Sequence, residues 1–453
     1  MSYLYTTPDE ERAMLATIGV PDLDALFSTI PAPLRLDRPL DLPPALSELE
    51  LEQRMRSLAG MNDSPRNRVC FLGGGAYDHF IPAAVDAVAG RSEFYTAYTP
   101  YQAEASQGSL QTFFEFQTMV CELAGLDVAN ASLYEGGTGL SEAVFMAQRV
   151  NDRLGRVVVL GSVHPEYRQV LETYLRQTNT ELVTIPVPNG TADVERVAAA
   201  IDETTSCLVI QTPNFFGCLE EARELVAAAH AKGALAVVSF DPISTGLLER
   251  PGDYGADIAV AEGQSLGIPL QFGGPYLGLF ACRSEFMRKM PGRLIGETVD
   301  RHGKRCFSLN LQAREQHIRR DKATSNICTN QGLMAIRATV YLSLLGPEGL
   351  RETALSCCRK SHYLAEQLAA IDGVALAFDR PYFKEFAVRL SGDIPGRLAR
   401  VKQAGFDVGP GLVSYPIPGI AAGEQGLLVA VTEKRTRDEL DRLVAAFAGG
   451  ACT

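Results

Sequence analysis

The sequence has 453 residues, of which 46% are hydrophobic and 21% charged, a balance typical of a globular protein with a large buried core. A formal net charge of −12 argues against nucleic acid or an anionic membrane surface as a partner. No apolar run reaches the length of a membrane span and no secretory signal opens the chain, so we expect a cytoplasmic protein. The ten cysteines include no Cys-x-x-Cys pair, which predicts reduced, buried thiols and no metal site.

The first 65 residues form an arm of short helices separated by prolines. Thr7-Pro8-Asp9-Glu10 is a capping box with proline at the first helical position, so a helix is predicted to begin there and to end at Gly19. Arms of this kind commonly pack on a neighbouring subunit. A lid on its own chain fits the sequence equally well.

A loop rich in phenol and amide side chains precedes an apolar helix. Ser109 is expected to cap that helix, and Gly125 to end it. Such a loop is unusual as a linker, but loop tyrosines also pack on surfaces, so composition leaves both interpretations open. The polar side chains of the loop are Tyr95, Tyr98, Tyr101, Gln102, Ser106 and Gln107.

Short apolar runs then alternate with amphipathic helices, which predicts right-handed βαβ units in a mainly parallel sheet. Runs 206–211 and 234–240 end next to Asn214 and Asp241, so these side chains are expected at the rim where open α/β sheets bind ligands. The glycine-rich turn before the helix at 140–150 includes Thr138. It can hold an anion with its backbone amides, although such turns are also common without a ligand.

The stretch from Asp241 to Gln264 resembles the core of fold-type I pyridoxal phosphate (PLP) enzymes. In those enzymes an aspartate after one strand binds the pyridinium nitrogen, and a lysine after the next strand carries PLP as a Schiff base. Asp241 is present here, but the lysine position is Gln264, and no lysine occurs between Gly233 and Arg288. By the same resemblance His164 lies where an aromatic ring stacks on the cofactor; otherwise it is a capping or packing residue.

Three longer motifs are distinctive. They are Tyr98-Thr99-Pro100-Tyr101-Gln102 with Ser106-Gln107-Gly108, Arg314-Glu315-Gln316-His317-Ile318-Arg319-Arg320 with Ala323-Thr324-Ser325-Asn326-Ile327-Cys328-Thr329, and Val431-Thr432-Glu433. These motifs resemble one family, the P-protein of the glycine cleavage system, glycine dehydrogenase (decarboxylating). The similarity extends over nearly the full chain to the N-terminal half of that enzyme, which in some lineages is a separate subunit 1.

The resemblance implies an α/β fold of the fold-type I PLP-transferase (aspartate aminotransferase-like) class, with a mainly parallel seven-stranded sheet. It divides the chain into an N-terminal helical arm at 1–65, a large domain at 66–330 that lacks the Schiff-base lysine, and a small C-terminal α+β domain at 331–453.

The resemblance also implies a partner chain, subunit 2 (β), in an α2β2 assembly. Subunit 2 would bind PLP covalently, and glycine would be decarboxylated there. The aminomethyl group would then pass to the lipoyl group of the H-protein.

This chain would complete that site in trans and bind no cofactor itself. The residues expected to do so are Tyr95, Tyr98, Tyr101, Gln102, Ser106 and Gln107 toward the substrate, and Thr324, Ser325 and Asn326 toward the phosphate of the partner's PLP. The residues of a vestigial cofactor site are Thr138, His164, Asn214, Asp241 and Gln264.

Two other functions remain compatible with the sequence. One is an independent PLP enzyme that uses a distant lysine such as Lys289 or Lys322. The other is a noncatalytic scaffold that retains only the fold.

Overall fold

Two compact units, Met1–Asp63 and Ser64–Thr453, make up the chain. The computed structural model describes residues 5–96, 98–323, 325–327, 330–415, 417–420 and 426–449. Within these ranges no helix is long and apolar enough to cross a membrane. The division at residues 65 and 330 expected from the sequence stays a prediction.

The first unit contains three short helices with few buried side chains. They are α1 (Pro8–Ile18), α2 (Leu23–Leu26) and α3 (Glu48–Ala59). The predicted capping box is confirmed, since Thr7 and Glu10 bond reciprocally and Gly19 ends α1 with φ of 85°. Among residues 5–63, Leu15 alone is buried. Many large apolar side chains of this unit are exposed, including Phe27, Leu34, Leu42, Leu49 and Met61.

The second unit contains the remaining strands and helices. The strands are β1 (Val69–Leu72), β2 (Val128–Ala129), β3 (Arg156–Leu160), β4 (Glu181–Ile185), β5 (Thr205–Gln211), β6 (Leu235–Phe240), β7 (Ile258–Glu262), β8 (Gly278–Cys282), β9 (Leu294–Val299), β10 (Arg305–Asn310), β11 (Val374–Leu376), β12 (Glu385–Leu390), β13 (Phe406–Gly409) and β14 (Gly426–Ala430). The helices are α4 (Ala83–Ala89), α5 (Ser92–Tyr95), α6 (Gln107–Ala124), α7 (Gly136–Asn151), α8 (Pro165–Leu175), α9 (Val194–Ala200), α10 (Ala222–Ala231), α11 (Gln316–Arg319), α12 (Gly332–Ala369), α13 (Ile394–Gln403) and α14 (Arg437–Ala448).

A seven-stranded sheet forms the large lobe of this unit, in the order β2-β8-β7-β6-β5-β3-β4. Strands β4, β3, β5, β6 and β7 are parallel, whereas β8 is antiparallel to its neighbours β7 and β2. The parallel strands are almost continuous apolar runs because helices cover both faces. The predicted mainly parallel seven-stranded sheet is therefore confirmed.

Helix α6 begins two residues before the predicted cap, so the assignment of Ser109 as its N-cap is wrong. Ser106 is the N-cap residue, without a side-chain capping bond, and Ser109 is buried in the first turn. Two glutamines fix the helix to the hairpin β9–β10. Gln107 accepts from and donates to the backbone of Phe307, and Gln117 does the same with Ile295. The bonds of Gln107 hold the first turn of α6 in place of a cap, and those of Gln117 hold the middle of the helix.

A smaller lobe is built from β1 and from the chain after α12, a helix whose backbone is interrupted at Gly346 before Pro347. It consists of the antiparallel sheet β11-β12-β14, the pair β1–β13, and helices α13 and α14. Its core includes Phe71 from β1 and Phe447 from α14. This lobe carries β12 directly onto the carboxyl ends of the large sheet, because Phe383 just before β12 donates a backbone hydrogen bond to Gly217.

We expect Gly217→Ala to be strongly destabilising. Gly217 has φ of 81°, and an added Cβ would lie 1.8 Å from the Glu385 carbonyl oxygen. A left-handed backbone costs a residue with a side chain about 1–2 kcal/mol, and a core overlap adds about 1–3 kcal/mol. Urea unfolding measures the loss. Gly303→Ala is the matched control, since Gly303 also has a positive φ (75°) but open space around it. Equal losses in the two variants would contradict a close approach of β12.

Candidate functional site

A small cleft opens at the carboxyl ends of β6 and β7, where the sequence predicted a ligand-binding rim. Its volume is about 40 Å³. A water molecule needs about 10–15 Å³ and small-molecule sites measure about 300–1,000 Å³, so only a few waters fit. The cleft, called the rim cleft below, is lined by Gly75, Tyr77, His164, Tyr167, Asn214, Asp241, Glu262, Lys384 and Glu385 among others.

Asp241 is bound by a lysine from the small lobe. Lys384 precedes β12, its side chain is 2% exposed, and its Nζ lies 2.7 Å from Asp241 Oδ2. The other Asp241 oxygen accepts the backbone N–H of Ile243 at 2.9 Å. The ammonium also lies 3.8 Å from the centre of the Tyr77 ring. Burying the Lys384 side chain without such a carboxylate partner would be strongly unfavourable.

A hydrogen-bonded chain continues from Lys384 into the small lobe. Lys384 Nζ donates to His79 Nε2 at 3.0 Å, and His79 Nδ1 donates to Glu433 Oε2 at 2.7 Å. Burial lowers the pKa of His79, which agrees with a neutral ring protonated at Nδ1. Cys357 Sγ donates to Glu433 Oε2 at 3.4 Å. His79, Cys357 and Glu433 could hold a metal ion by spacing, but these hydrogen bonds already link their ligand atoms.

Gln264, at the position of the missing lysine, holds the segment before α4. Its Oε1 accepts the backbone N–H of Tyr77 at 2.7 Å. Its Nε2 donates to the carbonyl oxygens of Tyr77 at 3.1 Å and Ile268 at 2.8 Å. Every polar atom of this amide is therefore engaged within the chain.

Glu385 fixes the same segment from the other side. Its two oxygens accept the N–H of Gly74 at 2.6 Å and the O–H of Tyr77 at 2.9 Å. Burial raises the pKa of Glu385 to about 7, despite these hydrogen bonds. The segment from Gly74 to Tyr77 is thus tied both to the large lobe, through Gln264, and to the small lobe.

The glycine-rich turn at the start of α7 has carboxylates on its backbone amides. Glu135 accepts the N–H of Gly137 at 2.5 Å and of Thr138 at 2.9 Å, and Glu262 accepts that of Gly136 at 3.0 Å. Burial raises the pKa of Glu262 to about 8. The amides that would bind a phosphate therefore bind the chain's own acids.

His164 and Asn214 have structural partners. The His164 ring stacks on Tyr167 with 4.5 Å between centroids, and its Nε2 donates to the Gly74 carbonyl at 2.7 Å. Its Nδ1 accepts the N–H of Glu166, so it caps α8, as its alternative interpretation predicted. Asn214 bonds Glu220 and the Gly190 carbonyl, both at 2.8 Å.

The residues around the rim cleft do not fit PLP. The ring-nitrogen partner is bound to an ammonium, the lysine position is an amide, the phosphate amides are occupied, and the remaining volume is that of a few waters. Lys289 and Lys322, the distant lysines considered above, are exposed and do not line the cleft.

The tyrosine loop, residues 95–108, has the opposite character because it is largely open. Tyr95, Tyr98 and Tyr101 are exposed, as is Gln102. The Tyr101 oxygen accepts a hydrogen bond from Arg293 Nη2 at 2.9 Å, and the ring meets His317 edge-on. The loop therefore presents phenols on a surface held by a buried arginine.

The segment at 311–327 lies beside Tyr101. Arg293 forms an ion pair with Glu315, Nε to Oε2 at 3.6 Å. Ser325 Oγ accepts the N–H of Ile327 at 3.1 Å, and Asn326 is exposed. Thr324, which the resemblance places toward a partner's phosphate, lies outside the described residues. The structure thus links Tyr101 to this segment through Arg293 and His317, and none of these residues lines the rim cleft.

Sequence reasoning missed Lys384 and Glu385. A signal existed, since Lys384 and Glu385 stand between Phe383 and the apolar residues Phe386, Ala387 and Val388. Charged residues in such a run are buried only when paired, so they indicate a partner elsewhere in the fold.

We expect stability to fall as pH rises from about 5 to 8. Glu385 and Glu262 have pKa values of about 7 and about 8, above the usual value of 4.5, so the folded chain binds more protons in this range. Stability is therefore highest near pH 5 and decreases through these pKa values. The measurement is the urea midpoint from pH 5 to 8.

Glu385→Gln removes one of these protons, so its pH slope should be shallower. Glu93→Gln is the control, because the Arg91 hydrogen bond lowers the pKa of Glu93 to about 2, outside the tested range. An unchanged slope in Glu385→Gln would contradict the raised pKa.

Comparison of the sequence with known proteins identifies the family of the chain. The family model described as Glycine cleavage system P-protein matches residues 1–447. The probable glycine dehydrogenase (decarboxylating) subunit 1 of Carboxydothermus hydrogenoformans is 50% identical over 449 residues, 99% of this chain and 100% of that protein. The protein of the same description from Chlorobaculum tepidum is 48% identical over 453 residues, 99% of each chain.

Solved structures with the same fold include a member of this family. The inhibitor-bound crystal structure of glycine decarboxylase (P-protein) of the glycine cleavage system has a TM-score of 0.90 and 44% identity, over 99% of this chain and 100% of that one. A glutamate decarboxylase from Lactobacillus brevis, with a TM-score of 0.69 and 12% identity over 92% and 94% of the two chains, shares the fold alone. The predicted fold-type I PLP-transferase-like class is confirmed, and the chain belongs to the glycine cleavage system P-protein family.

Proposed function

We propose that this chain is the subunit of a two-subunit glycine decarboxylase that binds no cofactor and completes its partner's catalytic site. The observation that carries the proposal is the contrast between a rim cleft filled by the chain's own side chains and an open tyrosine loop. Relatives over the full length are named subunit 1, which supports the existence of a second subunit. The partner is subunit 2 (β) in a cytoplasmic α2β2 assembly, and it holds PLP on its own lysine.

The proposed reaction is decarboxylation of glycine and transfer of its aminomethyl group to the lipoyl group of the H-protein. PLP on the partner supplies the electron sink for the loss of carbon dioxide. This chain contributes donors that orient the glycine carboxylate and a surface that keeps water out.

Tyr101 is well suited to donate to a carboxylate. Its oxygen already accepts from Arg293, so its own O–H proton is directed to another acceptor. Tyr95, Tyr98, Gln102 and Ser106 lie in the same exposed or half-buried loop. Gln107 contributes by holding this loop to Phe307 rather than by reaching a ligand.

The second set, Thr324, Ser325 and Asn326, is proposed to donate to the phosphate of the partner's PLP. Asn326 is exposed, and its backbone carbonyl accepts a hydrogen bond from Gln316 Nε2 at 3.0 Å, which holds the backbone at this position. Hydrogen bonds to a phosphate are charge-assisted and contribute about 1.5–3 kcal/mol each.

The N-terminal arm is proposed to pack on the partner. Its capped helices expose large apolar side chains such as Phe27, Leu49 and Met55. Exposure of many large apolar side chains is typical of a surface that packs on a partner.

We expect Tyr98→Phe and Tyr101→Phe each to lower the rate of the assembled complex about fivefold. Each removes one hydrogen bond worth about 1 kcal/mol. A triple variant with Tyr95→Phe should lose up to about a hundredfold, since misplaced reacting groups cost that much. The assay is exchange of the glycine carboxyl carbon with labelled bicarbonate, at unchanged PLP content.

Tyr174→Phe is the matched control, because Tyr174 is an exposed tyrosine of α8 whose ring packs on Phe145 of α7. Wild-type rates in the triple variant would remove the loop hydroxyls from catalysis. A loss seen only through failed assembly would assign the loop to interface packing.

We expect exchange activity only when this chain is co-expressed with the lysine-bearing subunit. Borohydride reduction of the active complex should leave the pyridoxyl group on the partner alone, because Gln264 cannot form an imine. Full activity of the partner by itself would assign this chain a scaffold role. A pyridoxyl group on a lysine of this chain would identify it as an independent PLP enzyme.

A further inference from the structure

The rim cleft keeps the charge pattern of a cofactor site while side chains of the chain occupy it. Fold-type I enzymes place a cation, the pyridinium, on the aspartate after one strand and an anion, the phosphate, on the turn before a helix. Here the cation on Asp241 is the Lys384 ammonium at 2.7 Å. The anion on the α7 turn is the Glu135 carboxylate, 2.5 Å from the Gly137 amide nitrogen and 2.9 Å from that of Thr138.

Both replacements are backed by further bonds that close the cleft. Gln264 and Glu385 hold the Gly74–Tyr77 segment from opposite lobes. An added Cβ at Gly73 would lie 1.8 Å from Glu385 Oε1, and one at Gly136 2.5 Å from the Tyr167 oxygen, so the glycines there permit the close packing. The missing lysine is therefore one change among several that point the same way.

We propose that Lys384 and Glu135 act as built-in replacements for the cofactor, and that the Lys384–Asp241 pair fastens the small lobe onto the large one. In this arrangement the lobes are held together without a ligand, because Asp241 belongs to the large lobe and Lys384 to the strand region of the small one. The rim cleft thus differs from a cofactor site in two ways: the lysine is absent, and the chain's own side chains fill the space. The inference concerns this chain's own residues and does not depend on the proposed catalytic role.

The first test is a double-mutant cycle in the full-length chain with Lys384→Met, Asp241→Asn and their combination. Removing one member leaves the other charge buried and unpaired. We expect Lys384→Met to raise the hydrogen-exchange rates of the Gly74 and Tyr77 amides about a hundredfold. The double variant should recover at least tenfold of that loss, since both charges are then gone.

Lys434→Met is the matched control. Lys434 pairs with Asp78 at 2.8 Å, but its side chain is 34% exposed and Asp78 retains Arg435. Exchange rates in Lys384→Met that rise no more than in Lys434→Met overturn the proposal. So does a double variant whose loss equals the sum of the single losses. If Lys384→Met does not fold, recovery of a soluble folded chain in the double variant supports the proposal, and continued insolubility overturns it.

The second test separates filling from the missing lysine. The full-length Gln264→Lys variant is incubated with PLP, reduced with borohydride and digested for peptide mapping. We expect no pyridoxyl group at position 264, because the ring and phosphate positions remain occupied. A pyridoxyl group at position 264 would show that the cleft can hold PLP once a lysine is present, and it would overturn the proposal.

Discussion

The ion pair between Lys384 and Asp241 is the contact on which the arrangement of the two lobes depends. The parallel sheet brings the end of β6 to the rim, where the Asp241 side chain is 13% exposed and the Lys384 side chain only 2% exposed. A lysine buried this completely requires an anionic partner with good geometry. The requirement is met from the large lobe by Asp241, so the burial of one lysine fixes the position of β12. The same constraint requires glycine at position 217, because only a residue without a side chain lets β12 approach so closely.

The buried polar groups next to this ion pair are also bonded to one another across the two lobes. Lys384 lies between the Asp241 carboxylate and the neutral ring of His79, and His79 donates a hydrogen bond from Nδ1 to Glu433. Burial acts to raise the pKa of Glu433, but the hydrogen bonds from His79 and the Phe80 amide lower it below its usual value. Glu433 belongs to one of the stretches that carry the family resemblance. Its hydrogen bonds to His79 and Phe80 give that stretch a structural role, because they join the segment before α4 to the small lobe.

The sequence was sufficient for the large lobe and insufficient for the cleft. Apolar runs such as 235–240 set the parallel strands, and the turn residues after them placed Asp241 and Asn214 at the rim. The replacement of lysine by Gln264 was visible directly. What could not be read was the partner of Asp241, because Lys384 is distant along the chain and its approach depends on how the second lobe folds back. Ser109 illustrates a local failure of the same kind, since the start of α6 is fixed by Gln107 bonding to β10 and not by a cap.

The closed cleft and the open tyrosine loop have a common physical origin. A side chain that fills a site needs partners on both sides, and Lys384 and Glu135 have them within this chain. The phenols of Tyr95 and Tyr101 are exposed instead, and Tyr101 is oriented by a buried arginine that is itself paired with Glu315. A buried guanidinium that supports an exposed phenol has little value for the stability of an isolated chain, because the phenol would be solvated equally well without it. Such preorganisation is useful where a second surface brings an acceptor to the phenol, so the loop fits a site shared between two chains.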